Sequence, residues 1–123
     1  MQFIVLAAIV QDTQEEKVIK IAKEAGAGSA TILHGKNIGL EEKKIFFGLT
    51  LEENVSVLLF ILPEKTSAMI FKALKNELNL ESEENINGVN GMHGTVFTFP
   101  LTHLSGLDTQ EIELFEENVK NEL

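Results

Sequence analysis

Two glycine-rich segments are where main-chain amides of this chain could receive a ligand. The first is Gly35-Lys36-Asn37-Ile38-Gly39; the second runs from Gly88 through Gly91 and His93 to Gly94 and Thr95. Glycine lets backbone approach a bound group closely, and successive N–H groups can form an anion-binding nest. Lys36 would add positive charge to the first. The residues alone also allow an ordinary loop at the first segment and a turn-rich lead-in to a strand at the second. His34, His93 and His103 sit beside these segments and could hold a metal or make a pH-sensitive contact. Their spacing is not that of a paired ligand motif, and solvent-facing or loop-bracing roles are the simpler reading. Gly26 and Gly28 end a helix rather than start one, so they read as a helix C-cap.

Composition narrows the chemistry. The formal net charge is −9, which argues against a nucleic-acid partner, since phosphate binding needs clustered cations. All ten basic residues are lysines, so planar, bidentate recognition of phosphate or carboxylate has no arginine to perform it. With no cysteine there is no thiolate nucleophile and no disulfide framework. No Ser-His-Asp set can be assembled, and the expectation is a protein that is not an enzyme. The apolar start, Phe3-Ile4-Val5-Leu6, lacks a basic flank and reads as a strand rather than a leader. No apolar run reaches the roughly 20 residues a spanning helix needs, so no membrane insertion is expected and a cytoplasmic location is the default. No pattern names a cofactor.

The elements that must position these residues follow from periodicity. Residues 2–10 are almost continuously apolar, as in a strand covered on both faces. Asp12-Thr13-Gln14-Glu15 reads as a capping box, and Val18, Ile21, Ala22 and Ala25 give a helical stripe. Residues 29–34 form a second strand, and 35–44 a loop. Residues 45–51 and 55–62 are strand-like, either one bent strand or two separated by Glu52-Glu53-Asn54. Pro63 opens a second helix with Ile70, Phe71, Leu74 and Leu78 on its buried face. Residues 79–90 form a loop and 95–99 the last strand. A second Asp-Thr-Gln-Glu at 108 caps a short amphipathic helix carrying Ile112, Phe115 and Val119.

The order βαββαβ specifies an α+β, ferredoxin-like sandwich with an antiparallel sheet over residues 1–107, followed by a C-terminal helix over 108–123. Right-handed crossovers put both helices on one face, leaving the apolar residues of the other face uncovered. An oligomer with its sheets turned inward covers them most economically.

The chain resembles the PII nitrogen-regulatory signalling family, as a divergent PII-like member, over roughly residues 3–107. The resemblance rests on the element order, on Gly26-x-Gly28 leading to Gly35 and its loop, and on Met92-His93-Gly94-Thr95-Val96-Phe97 followed by Phe99-Pro100. In the family these places hold the nucleotide-binding B-loop and a strand ending in a Leu-Pro pair. The resemblance implies a homotrimer with a small-molecule effector in clefts between subunits. It also implies that the loop after His34 docks on a regulated partner protein, with the family's role placing it in nitrogen metabolism. The ligand-binding residues it implies are Gly35, Lys36, Asn37, Gly39, Gly91, His93, Gly94, Thr95 and, more weakly, His103. Thr95 replaces the B-loop lysine, His93 the B-loop aspartate, and only His103 stands near the family's later basic pair. Without those cations, triphosphate binding loses charge-assisted hydrogen bonds each worth about 1.5–3 kcal/mol, so a standard ATP response is not expected. The alternative is a divalent-metal-binding trimer resembling the CutA group, which shares the fold.

Overall fold

The computed structural model describes residues 2–40, 45–46, 49–50, 52–80 and 94–107. Strand β1 (Phe3–Gln11) leads through a 3-10 turn at Asp12–Gln14 into helix α1 (Glu15–Glu24). Strand β2 (Thr31–Ile38) follows, then two short paired strands, β3 (Ile45–Phe46) and β4 (Leu49–Thr50). The long strand β5 (Glu52–Pro63) precedes helix α2 (Glu64–Glu77), and β6 (Thr95–Pro100) completes the set. The main sheet has the order β2-β5-β1-β6, antiparallel throughout, which is the ferredoxin-like arrangement expected from the sequence.

The core lies between this sheet and both helices. Leu6, Ala8 and Val10 of β1 and Leu58, Phe60 and Leu62 of β5 meet Val18 and Ala22 of α1 and Ile70 and Leu74 of α2. Alternate residues of each central strand therefore face the helices, as the period of two requires. Both helical stripes expected from the sequence are the buried ones. Lys17 Nζ donates to the Glu77 carbonyl at 3.2 Å, placing a cation at the negative end of α2 and tying the helices together.

Helix α1 ends as Gly26 predicted. Gly26 has φ of 115° and donates to the Lys23 carbonyl, and Ala27 donates to the Ala22 carbonyl, the paired bonds of a Schellman stop. Helix α2 ends the same way with Asn79 at φ 56° in the glycine position. Pro63 is the residue before α2 rather than inside its first turn.

Three expectations are corrected. The segment after His34 is not a loop from Gly35: Gly35, Lys36, Asn37 and Ile38 continue β2, paired with Val55, Asn54, Glu53 and Glu52. Glu52-Glu53-Asn54 is accordingly strand, and the described residues within 45–51 form β3 and β4, paired with each other. The physical reason at 36–38 and 52–54 is that a mostly polar two-stranded ribbon draws its order from cross-strand hydrogen bonds, which leave no hydrophobic period to read. Third, Asp12–Glu15 is not a capping box. The residues before Glu15 make a 3-10 turn, and no side chain caps α1. The helix proposed for 108–123 lies outside the described residues.

The second face of the sheet carries the other half of the pattern. Direct cross-strand partners share a face. Val5 pairs with Ile61 and Phe99, Ala7 with Leu59 and Phe97, and Leu33 with Val57. On this face Leu33 is 54%, Ile61 44%, Phe97 42% and Phe99 46% exposed. The Phe97 and Phe99 rings stack with centroids 6.5 Å apart. A contiguous apolar surface on the face away from the helices is what the strand composition required.

Candidate functional site

Strand pairing decides which of the expected ligand residues meet. Thr95 pairs with Ile9, and Ile9 pairs with Val57, whose other partner is Leu33. Thr95 therefore lies level with Leu33, at the same end of the sheet as Gly35, Lys36 and Asn37. The two groups occupy opposite edges, however, since β2 and β6 are the outer strands. Three strand spacings separate them, about 14 Å. One copy does not bring them together.

Gly94 enters β6 with φ of 131°, and a Cβ there would lie 3.3 Å from Val10 Cγ1 and 3.6 Å from the Ile9 carbonyl oxygen. Its lack of a side chain is thus a structural requirement of close approach to β1. Gly35 differs: its φ is not in the left-handed range, and a Cβ would meet nothing within 4 Å. Extended backbone with ladder bonds to β5 is not an anion nest, so Gly35, Lys36 and Asn37 form no cradle of free amides. Lys36 instead pairs with Glu52 at 3.7 Å across the ribbon. Gly39 follows the end of β2. Gly91 and His93 lie outside the described residues.

His103 stands elsewhere. Leu101 donates to the Phe3 carbonyl, and the chain then lines a cavity of about 400 Å³ with Gln2, Phe3, Leu101, Thr102, His103 and Ser105 among its walls. His103 Nδ1 is 3.2 Å from Thr102 Oγ1. The cavity is at the opposite end of β1 from Thr95, roughly 20 Å away at strand spacing. Its hydrogen-bonding side chains are an amide, hydroxyls and an imidazole, with no lysine in the wall.

Sequence reasoning missed the most developed polar cluster. Ser56 Oγ donates to Glu15 Oε1 at 2.7 Å, and His34 Nε2 lies 2.6 Å from the same oxygen. His34 and Ser56 are direct cross-strand partners on the helix face, and Glu15 opens α1 above them. The Ser56 hydroxyl, reinforced by the His34 ring, holds the Glu15 carboxyl below its usual range, and desolvation opposes this only in part. Ser56 donates to the carboxylate and is fully buried, so its hydroxyl is not open to a substrate. Glu15 read as a capping residue because the Asp-Thr-Gln-Glu spacing fits a cap; a polar Ser56 inside Val55-Ser56-Val57-Leu58 was the available signal that something polar lay opposite.

The sign of the resulting pH dependence is fixed. A carboxyl with a lowered native pKa contributes stability above its unfolded value, near 4.3, that is lost as pH falls through the native value. Glu15→Gln, compared with wild type in urea from pH 7 to pH 3, is expected to narrow the stability gap steadily below about pH 4.3. A gap that stays constant to pH 3 would refute the assignment.

Among the described residues there is no group of three metal-ligating side chains and no helix long and apolar enough to cross a membrane.

No protein-family model matches the sequence, and no curated protein matches it. Solved structures do match the chain path. The ATP complex of B. subtilis GlnK is similar over 82% of this chain and 83% of its own, with a TM-score of 0.61 and 15% identity. CPII from Thiomonas intermedia K12, a nitrogen regulatory PII-like protein bound to ADP, AMP and bicarbonate, is similar over 87% of this chain and 98% of its own, with a TM-score of 0.58 and 13% identity. CutA1 from Oryza sativa is similar over 97% of this chain and 94% of its own, with a TM-score of 0.58 and 15% identity. The chain takes the fold of these PII-like proteins and of CutA1.

Proposed function

We propose that this protein is a non-catalytic, PII-like regulator that works as a cytoplasmic homotrimer, binds a small metabolite between subunits and signals to a partner protein through the segment after His34. The observation that carries this reading is the placement of the two candidate segments. Lys36 and Asn37 lie on one sheet edge, with Gly39 just past it, and Thr95 lies on the other, with Gly94 leading into it, at the same end. An edge of a second copy is the natural means of joining them, and the uncovered apolar face supplies the driving force for assembly. Gly91 and His93 adjoin Gly94 in sequence, and Gly35 adjoins Lys36. His103 would reach such a cleft only from another copy. A role in nitrogen metabolism follows the same likeness to CPII, which is named as a nitrogen regulatory protein.

The ligand must prefer one arrangement of the signalling segment, because only differential affinity shifts a population. The lack of arginine and the presence of Thr95 disfavour a ligand held mainly through a triphosphate. A thermal-shift screen tests the reading: adenine nucleotides, cyclic dinucleotides, 2-oxoglutarate and bicarbonate, repeated on Lys36→Ala and His103→Ala. A specific ligand at 100 times its Kd stabilises by about 2.7 kcal/mol, and the variants should weaken that response. A flat screen leaves the regulator without a signal and overturns it.

The second reading, a divalent-metal trimer, is favoured by the length of the match to rice CutA1, which spans 97% of this chain. Zinc and copper titration by calorimetry, with His34→Ala and His103→Ala, separates it from the first.

A further inference from the structure

Strand β1 pairs with β5 only from Val55 onward, at Gln11. Beyond that level, among the described residues, Lys36–Ile38 and Glu52–Asn54 have ladder partners only in each other, so β2 and β5 leave the body of the sheet as a two-stranded arm. Two features mark the point of departure. Gly35 pairs with Val55 at the last level that β1 supports, and no atom stands within 4 Å of where its Cβ would be. A glycine inside a strand weakens it locally and permits a bend. One level inward, Glu15 holds both strands at once through Ser56 and His34. Ser56 is fully buried, so its hydroxyl depends on that carboxylate for a partner. On the opposite face Gln11 Nε2 reaches Glu53 Oε1 at 3.3 Å, a longer contact between neutral amide and carboxylate.

We propose that Gly35 is the hinge of this arm and that Glu15 is the clasp that locks it, coupling the start of α1 to the direction in which β2 and β5 leave the sheet. A shift of the first turn of α1 withdraws one oxygen from both strands together, because Ser56 and His34 converge on it. The arm then pivots about the Gly35–Val55 level while the core below Ser56 stays packed. The clasp works with either neutral or protonated His34, since Nε2 can donate in both forms. Glu15 and His34 are positioning residues in this scheme.

Hydrogen exchange read segment by segment tests it on the full chain. Glu15→Ala should raise exchange across residues 36–38 and 52–54 about tenfold, while residues 5–8 and 58–61 of the core exchange as in wild type. Gly35→Val in the same background should return most of the arm's protection by stiffening the hinge. His34→Ala removes half of the clasp at a position whose side chain is 68% exposed, and serves if Glu15→Ala fails to fold. Arm exchange unchanged in the clasp variants, or arm and core rising together, overturns the proposal. Failure of Gly35→Val to restore protection removes Gly35 as the hinge.

Discussion

Phe97→Asp is expected to turn the proposed homotrimer into a folded monomer. On the proposed reading the wild-type chain of 13.6 kDa should sediment at three times that mass at micromolar concentration, with assembly driven by the apolar face of Leu33, Ile61, Phe97 and Phe99. In a single copy Phe97 is 42% exposed on the strand that forms the sheet's edge, so a carboxylate there can remain in water and the core behind it is untouched. In an assembly with sheets turned inward the same carboxylate would be buried without a partner. Leaving a buried charge unpaired costs about 3–5 kcal/mol. Each interface should therefore weaken roughly a hundred- to a few-thousand-fold. Lys72→Glu, on the exposed outer side of α2, is the matched control and should keep the wild-type mass. Sedimentation with circular dichroism on the same samples reads both outcomes. A wild-type monomer, or a Phe97→Asp trimer, contradicts the covered-face argument and with it the intersubunit site.

Gly94→Ala carries the second large effect. A residue at φ 131° occupies backbone space that side chains rarely enter, and the added Cβ would press on Val10 Cγ1 at 3.3 Å. Strain of this kind costs about 1–3 kcal/mol. It should appear as a lower urea midpoint with an unchanged slope. Gly35→Ala should go the other way. That position has ordinary extended backbone and open space, so the substitution removes the entropic penalty of a strand glycine and is expected to be neutral or stabilising by about 0.5–1 kcal/mol. Equal destabilisation by both would mean that the two glycines serve one purpose, which the geometry denies. If Gly94→Ala also abolishes a ligand response that the equally destabilised core variant Leu58→Val retains, the ligand contacts the Gly94 segment directly.

These two glycines show how much of the site was legible. Both stand out as breaks in the apolar pattern, and by residue type alone each fits a ligand-cradling loop or an ordinary turn. The structure separates them into a tight approach to β1 at Gly94 and a strand position at Gly35. Glu15 shows the converse. Its spacing after Asp12 spelled a helix cap, while its actual partners, His34 and Ser56, lie 19 and 41 residues away in sequence. No local pattern could announce a hydrogen bond that exists only because β2 and β5 pair under α1.

The sequence by itself determined the four main strands and two helices in βαββαβ order, both buried helical stripes, the glycine stop of α1 and the two apolar faces of β1 and β5. These follow from hydrophobic period and from the conformational limits of glycine and proline, which act over a few residues. It also determined, by the absence of arginine, which chemistry is missing. Only the tertiary structure decided that β2 runs on through Gly35 to Ile38, that Glu15 clasps two strands, and that Gly35–Gly39 and Gly94–Thr95 share an end of the sheet without meeting. Each of these depends on strand register, and register is set by backbone pairing between segments far apart in the chain, where side-chain periodicity has nothing to say.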